Sequence, residues 1–176
     1  MRGSDTQGSE VWGETSIVYV LDASAVFAGI ESAVYGVEMV VPPSVVDEVL
    51  DPVSSARLST AVALGRVKIV KPPQELLNQA VESAKSVGEV YKLSRADLEV
   101  IALALMFRRS GREVVVLTDD YSVQNVLKKL GIKWRSVKSR GIGRVLVRKL
   151  RCPNCGAKLR GDEKVCPVCG RDLSTS

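Results

Sequence analysis

Short apolar runs alternate with longer amphipathic stretches over the first three-quarters of the chain. Ser16-Ile-Val-Tyr-Val-Leu21 is β-branched, apolar and followed by Asp22, the pattern of a buried strand. Residues 23–34 have helical composition. Glu38-Met-Val-Val41 reads as a second strand; Pro42-Pro43 stops it, and Ser44 is placed to cap a helix through Leu50. Further helices are predicted over 56–65 and 74–87, with Val67-Lys-Ile-Val70 as the strand between them. Ser94 is an N-cap candidate for the apolar helix over 96–107, which Arg108-Arg-Ser-Gly111 ends. Val114-Val-Val-Leu117 is a fourth strand, Thr118-Asp-Asp120 caps a helix over 121–130, and Ile132-Lys-Trp134 is the candidate last strand. This alternation predicts parallel strands joined by βαβ crossovers, an α/β domain of about 120 residues. In such sheets, sites form at the carboxyl ends of the strands.

The flanks differ from this body. Residues 1–15 are rich in Gly, Ser, Glu and Thr and read as a flexible leader. Residues 16–135 form the predicted domain, 136–150 a basic linker with Gly141 and Gly143, and 151–173 a unit too short to build a core alone. No run approaches the roughly 20 apolar residues of a membrane span. The first residues also lack the apolar core of a signal peptide. A cytoplasmic protein with no membrane partner is the expectation.

Composition narrows the chemistry. Of 176 residues, 45% are hydrophobic and 26% charged, so a packed core is within reach and wholesale disorder is excluded. Aromatic residues are 5%, which leaves the core to Val, Leu, Ile and Ala. There is no histidine, which removes Ser-His-Asp and Cys-His catalysis and every imidazole metal site. The charge is uneven. Residues 1–127 hold 11 Lys+Arg against 17 Asp+Glu, whereas residues 128–176 hold 14 against 3, a net of −6 and of +11. An acidic body with a basic C-terminal third suits a polyanion partner, of which nucleic acid is the commonest; a solvated basic surface is the plainer alternative.

All four cysteines fall in two CxxCG knuckles, Cys152-Pro-Asn-Cys155-Gly156 and Cys166-Pro-Val-Cys169-Gly170. Four thiolates at this spacing suit one tetrahedral, structural Zn²⁺ with no ligand position left open for catalysis. A rubredoxin-like iron site and a pair of redox dithiols are the alternatives. A segment of about 25 residues needs such a staple to fold.

Carboxylates mark the strand ends and helix starts of the first domain. Asp22 ends the first strand, Glu48 lies on the helix after the second, Asp97 opens the apolar helix, and Asp119 and Asp120 follow the fourth strand. Each has a structural explanation. Asp22 and Asp120 suit N-caps, Ser94-Arg-Ala-Asp97 resembles a capping box, and Glu48 suits an exposed helix position. Together they suggest more, because clustered carboxylates repel one another unless a cation intervenes. Hard divalent ions bind such oxygens, and Mg²⁺ or Mn²⁺ fits. An ion held there lowers the pKa of water and stabilises a departing phosphodiester oxygen.

These motifs carry a resemblance. Val20-Leu-Asp22-Ala-Ser-Ala25, Pro43-Ser-Val-Val-Asp-Glu48, Leu93-Ser-Arg-Ala-Asp97 and Leu117-Thr-Asp-Asp120, in that order over about residues 16–135, resemble the PIN-domain ribonucleases. With the basic linker and the cysteine ribbon, the chain resembles the Nin-one-binding (Nob) endonucleases, and Thr118-Asp-Asp-Tyr-Ser-Val-Gln-Asn125 is similar to a segment typical of them. The resemblance implies a parallel sheet, an acidic Mg²⁺ or Mn²⁺ site, and hydrolysis of precursor small-subunit ribosomal RNA at its mature 3′ end. It implies Asp22, Glu48, Asp97 and one or both of Asp119 and Asp120 as metal ligands. Thr-x-Asp spacing favours Asp120, and strand register leaves Asp119 open. Asp47 and Glu99 read as bystanders. Ser24 and Thr118 either support the ligands or cap local structure. RNA contacts are expected from Lys138, Arg140, Arg144, Arg148, Lys149, Arg151, Lys158 and Arg160, and the partner is the small ribosomal subunit precursor. The rival readings are a VapC-type PIN toxin, which usually lacks a ribbon, an RNA-binding assembly factor without catalysis, and a zinc-ribbon accessory protein of transcription or translation.

Overall fold

The computed structural model describes residues 17–137, 151, 152, 154–159 and 164–173. The leader, most of the basic linker, and Lys138, Arg140, Arg144, Arg148, Lys149 and Arg160 lie outside the described residues.

Five short strands pair in parallel in the order β3-β2-β1-β4-β5: β1 (Val18–Leu21), β2 (Glu38–Val41), β3 (Val67–Ile69), β4 (Val114–Leu117) and β5 (Lys133–Arg135). Val18 pairs with Glu38 on one side and Val114 on the other, and Leu117 pairs with Arg135. The central strands β1 and β4 are almost entirely buried, which is why they read as unbroken β-branched runs. Chain order reverses between β1 and β4, so a crevice opens beyond their carboxyl ends.

Seven helices connect the strands among the described residues. Residues 23–34 do not form one helix. They split into α1 (Ala23–Phe27) and α2 (Ile30–Ala33) at Gly29, whose φ of 75° no continuous helix accommodates. The helix α3 (Pro43–Glu48) starts at Pro42 with Pro43 in its first turn, and Ser44 does not cap it; the Ser44 hydroxyl bonds elsewhere, as described below. The next helix, α4 (Pro52–Ala63), begins earlier than its apolar pattern suggests. Asp51 Oδ1 accepts from Ser54 N at 2.8 Å, and Pro52 occupies the position after this cap. Arg57 on α4 pairs with fully buried Glu31 at 3.2 Å and donates to Val26 O and Ser54 Oγ, fastening α4 to α1 and α2.

Two long helices fill one side of the core, α5 (Gln74–Val87) and α6 (Arg95–Arg109), and α7 (Tyr121–Leu130) packs against α5, α6 and β5. On α6 every residue from Glu99 to Leu105 is buried, so this helix is apolar nearly all round. No helix among the described residues is long and apolar enough to cross a membrane.

Candidate functional site

Two strand ends and one helix start converge at the crevice. Asp22 follows β1 directly and caps α1, with Oδ1 accepting from Ala23 N at 2.7 Å. Its Oδ2 accepts from Thr118 Oγ1 at 2.6 Å and from Ser24 Oγ at 3.3 Å. Those hydroxyls also grip the chain after β4. Thr118 Oγ1 accepts from Asp120 N at 3.0 Å, and Ser24 Oγ accepts from Asp119 N at 3.1 Å. Ser24 and Thr118 are therefore more than local caps: they bolt the end of β1 to the end of β4 and fix the Asp22 carboxylate between them. Asp22 is 6% exposed, and burial raises its pKa above the ordinary carboxylate value; the bonds from Thr118, Ala23 and Ser24 oppose the rise, and the charge of Asp120 adds to it.

Asp97 reaches the same region from the first turn of α6. It completes the capping box that the sequence suggests: Ser94 Oγ accepts from Asp97 N at 3.1 Å, and Asp97 Oδ2 accepts from Ser94 N at 2.7 Å. Burial lifts its pKa to about 6; the backbone bond from Ser94 opposes this, and the charges of Asp22 and Asp120 push it further up. Asp22, Asp97 and Asp120 are thus mutually repelling members of one cluster.

The structure separates the adjacent pair Asp119 and Asp120. Asp120 caps α7, with Oδ1 accepting from Ser122 N and Val123 N, and its charge acts on both Asp22 and Asp97. Asp119 Oδ1 instead accepts from Ser136 Oγ and, at 2.8 Å, from Val137 N, which ties it to the chain leaving β5. Glu48 is exposed at the end of α3 and shares a cleft with Arg95 and Ala96, the residues just before Asp97. Asp47 is exposed beside it.

Two residues matter here that residue pattern alone does not mark. Gln124 is fully buried and its Nε2 donates to Thr118 O at 3.0 Å, steadying the carbonyl next to the site. Its signal is a polar residue among Val123, Val126 and Leu127, on the buried side of α7. Glu99, which reads as a bystander, is 4% exposed and accepts from Ser44 Oγ at 2.6 Å and Arg95 Nε at 2.9 Å. Burial alone would raise its pKa, but these two donors outweigh burial and hold it below the ordinary value.

The donor set fits a hard divalent cation. It consists of carboxylate oxygens, and two of its members, Asp22 and Asp97, carry raised pKa values that a cation would relieve. Among the described residues these oxygens do not gather within 4.8 Å of one another as a group of three.

The four cysteines do gather that closely, and all are free of disulfides. The Sγ atoms of Cys152 and Cys169 are 3.6 Å apart, and those of Cys155 and Cys166 3.7 Å. Tetrahedral zinc with Zn–S bonds of about 2.3 Å requires about 3.8 Å between sulfurs. Each knuckle is built alike: Cys152 N donates to Ala157 O and Cys166 N to Arg171 O, both at 2.8 Å, and Gly156 and Gly170 both turn at φ 71°. Cys155 accepts a backbone bond that by itself lowers its pKa, yet the close approach of the other three thiols raises it, whereas Cys169 and Cys152 are lowered, so the four thiols titrate as one set.

The fold, the acidic crevice and the cysteine cluster together define a PIN-type ribonuclease carrying a zinc ribbon. The family described as the PIN domain of ribonuclease matches residues 19–107, and the zinc-ribbon domain family matches residues 151–173. The chain is 39% identical over 153 residues to Endoribonuclease Nob1 of Pyrococcus abyssi, covering 86% of this chain and 88% of that protein. It is 38% identical to Endoribonuclease Nob1 of Archaeoglobus fulgidus over 155 residues, 88% of each. Ribonuclease VapC3 of Aeropyrum pernix is 40% identical over 141 residues, 80% of this chain and 99% of its own length. The chain belongs to the Nob1 endoribonuclease family.

Proposed function

We propose that this protein is a divalent-metal-dependent endoribonuclease that hydrolyses precursor small-subunit ribosomal RNA at its mature 3′ end, in the cytoplasm. The observation that carries the reading is the repelling trio Asp22, Asp97 and Asp120 at the β1/β4 crevice, in a chain that also holds a zinc ribbon. Its parts are a leader over 1–15, the nuclease domain over 16–135, a basic linker over 136–150 and the ribbon over 151–173.

Asp22, Glu48, Asp97 and Asp120 hold Mg²⁺ or Mn²⁺, with Asp120 rather than Asp119 as the principal ligand of that pair. When bound, the ion activates and orients water for attack on the phosphodiester and stabilises the leaving oxygen, which gives 3′-hydroxyl and 5′-phosphate ends. The chain supplies the rest. Thr118 and Ser24 keep Asp22 in one orientation, Ser94 does so for Asp97, and Asp119 anchors the start of the basic linker at the rim of the site. The first knuckle sets two exposed cations, Arg151 and Lys158, opposite each other in an antiparallel bridge. Like charges so placed repel, an arrangement that an RNA phosphate relieves.

The test is cleavage of an RNA spanning the mature 3′ end, with Mn²⁺ or EDTA, by wild type and Asp22→Asn. A single metal-dependent cut at that end, absent in the variant, is expected. Tight binding without any cut would instead support an assembly factor without catalysis. The similarity to VapC3 and to the 29%-identical Ribonuclease VapC1 of Thermoplasma acidophilum supports a second reading, a VapC-type ribonuclease toxin. Cleavage of other RNAs in preference to the ribosomal precursor would favour it.

A further inference from the structure

A cleft of about 370 Å³ opens beside the acidic cluster, between α3 and the first turn of α6. Ser44, Asp47, Glu48, Lys71, Arg95 and Glu99 line it. Its position is fixed by sequence adjacency. Arg95 is two residues before Asp97 on the same helix, and Glu48 ends the helix on the other wall. Its volume lies in the range of about 300–1,000 Å³ usual for small-ligand sites, so it admits a nucleotide-sized group.

The cations of this cleft stand in unequal surroundings. Arg95 is held by buried Glu99, which Ser44 in turn steadies. That grip uses Nε, while the Arg95 side chain as a whole is 77% exposed, which leaves its guanidinium open to solvent. A guanidinium fork matches phosphate oxygens. Lys71 follows β3 ahead of Pro72 and Pro73; it is exposed and makes no ion pair among the described residues. The carboxylate cluster next to the cleft repels RNA phosphates unless cations of this kind stand along their path.

We propose that this cleft is a backbone subsite for the RNA strand next to the scissile phosphate, with Arg95 and Lys71 each contacting a phosphate. The proposal rests on the nuclease reading above and adds two RNA-binding residues within the nuclease domain, away from the basic C-terminal third.

The experiment uses the full-length chain with Lys71→Gln, Arg95→Gln and the double variant, and Lys85→Gln on α5 as a control for simple loss of charge. Affinity for a labelled single-stranded RNA is followed by anisotropy against salt, without divalent ions. Each lost phosphate contact flattens the slope of log K against log salt by about 0.7, hence by about 1.4 for the double variant. At 0.1 M relative to 1 M salt this is a loss of about fivefold per contact and about 25-fold for two. In cleavage assays KM rises by a similar factor while kcat at saturating RNA is kept, a division that mere loosening of the fold would not give. Lys85→Gln leaves the slope unchanged. If Arg95→Gln fails to fold, exposed Lys71→Gln alone decides, with a change of about 0.7. A double variant with the wild-type slope and KM, in a preparation where wild type cuts RNA, overturns the subsite and spares the nuclease reading. A wild type that neither binds nor cuts RNA overturns both.

Discussion

Removing the charge of Asp97 should stabilise the protein while abolishing its activity. Its pKa rises from 3.8 to about 6 on folding, chiefly through burial and with added repulsion from Asp22 and Asp120. One unit corresponds to about 1.4 kcal/mol, so the ionised carboxylate destabilises the divalent-free fold by up to about 3 kcal/mol at pH 7. The sign follows from proton linkage. Between pH 4 and 6 the folded state binds more protons than the unfolded chain, so this contribution to stability falls as pH rises and is fully lost above about pH 6. Asn at this position keeps an oxygen to accept from Ser94 N, so the capping box survives while the charge goes. Asp97 is only partly buried, so solvent screening brings the expected gain down to about 1–2 kcal/mol, or roughly 4–10 °C in Tm. Thermal unfolding of wild type and Asp97→Asn would be followed at pH 7 and pH 5, without added divalent ions and with Mn²⁺ titrated in. The variant should be the more stable at pH 7 without Mn²⁺, the gap should narrow at pH 5, and Mn²⁺ should raise wild type more than the variant. A variant less stable than wild type at pH 7, or equal stabilisation of both by Mn²⁺, would refute the account of this cluster as a strained cation site.

Asp120→Asn should lower cleavage by more than about 100-fold, the upper end for residues that only support a metal ligand, whereas Asp119→Asn, which keeps an acceptor for Val137 N, should stay within about 10-fold. Initial rates at saturating Mn²⁺ check the pair. Thr118→Val removes the 2.6 Å donor to Asp22 and the acceptor for Asp120 N; urea denaturation should show a loss of about 1–3 kcal/mol. Arg57→Ala leaves Glu31 buried with no ion pair and should destabilise by about 3–5 kcal/mol, read as a lower urea midpoint at unchanged m-value. Cys166→Ser should abolish stoichiometric zinc in metal analysis while changing the unfolding free energy of the nuclease domain by less than about 0.5 kcal/mol.

The parallel sheet was legible because β1, β2 and β4 are buried on both faces and are punctuated by Asp, Pro and Gly. The capping box at Ser94 and the Asp120 cap were equally plain, since both depend on bonds to residues two or three positions away. What residue pattern could not supply was any bond closed by tertiary approach. Ser44 has the look of a helix cap, yet its hydroxyl goes to Glu99, 55 residues along the chain. The local cap marks Asp120, but the partner of Asp119 appears only with the return of the chain at Ser136 and Val137. One glycine inside a helical pattern is usually tolerated, so Gly29 does not mark a break by its letter alone; its positive φ separates α1 from α2.

The same division between local and tertiary chemistry explains how an acidic site can act on a polyanion. The carboxylates must lie close enough to repel, or they would not demand a cation, and the two hydroxyls that bridge β1 and β4 keep Asp22 from turning away to relieve that repulsion. An acidic cluster of this kind repels RNA, so affinity has to come from other residues. The chain places most of its cations in the last 49 residues, and within the nuclease domain sets Arg95 on a buried carboxylate at the edge of the site. On the proposed reading, binding and bond cleavage draw on separate groups, joined where Asp119 ties the start of the basic arm to the rim of the crevice.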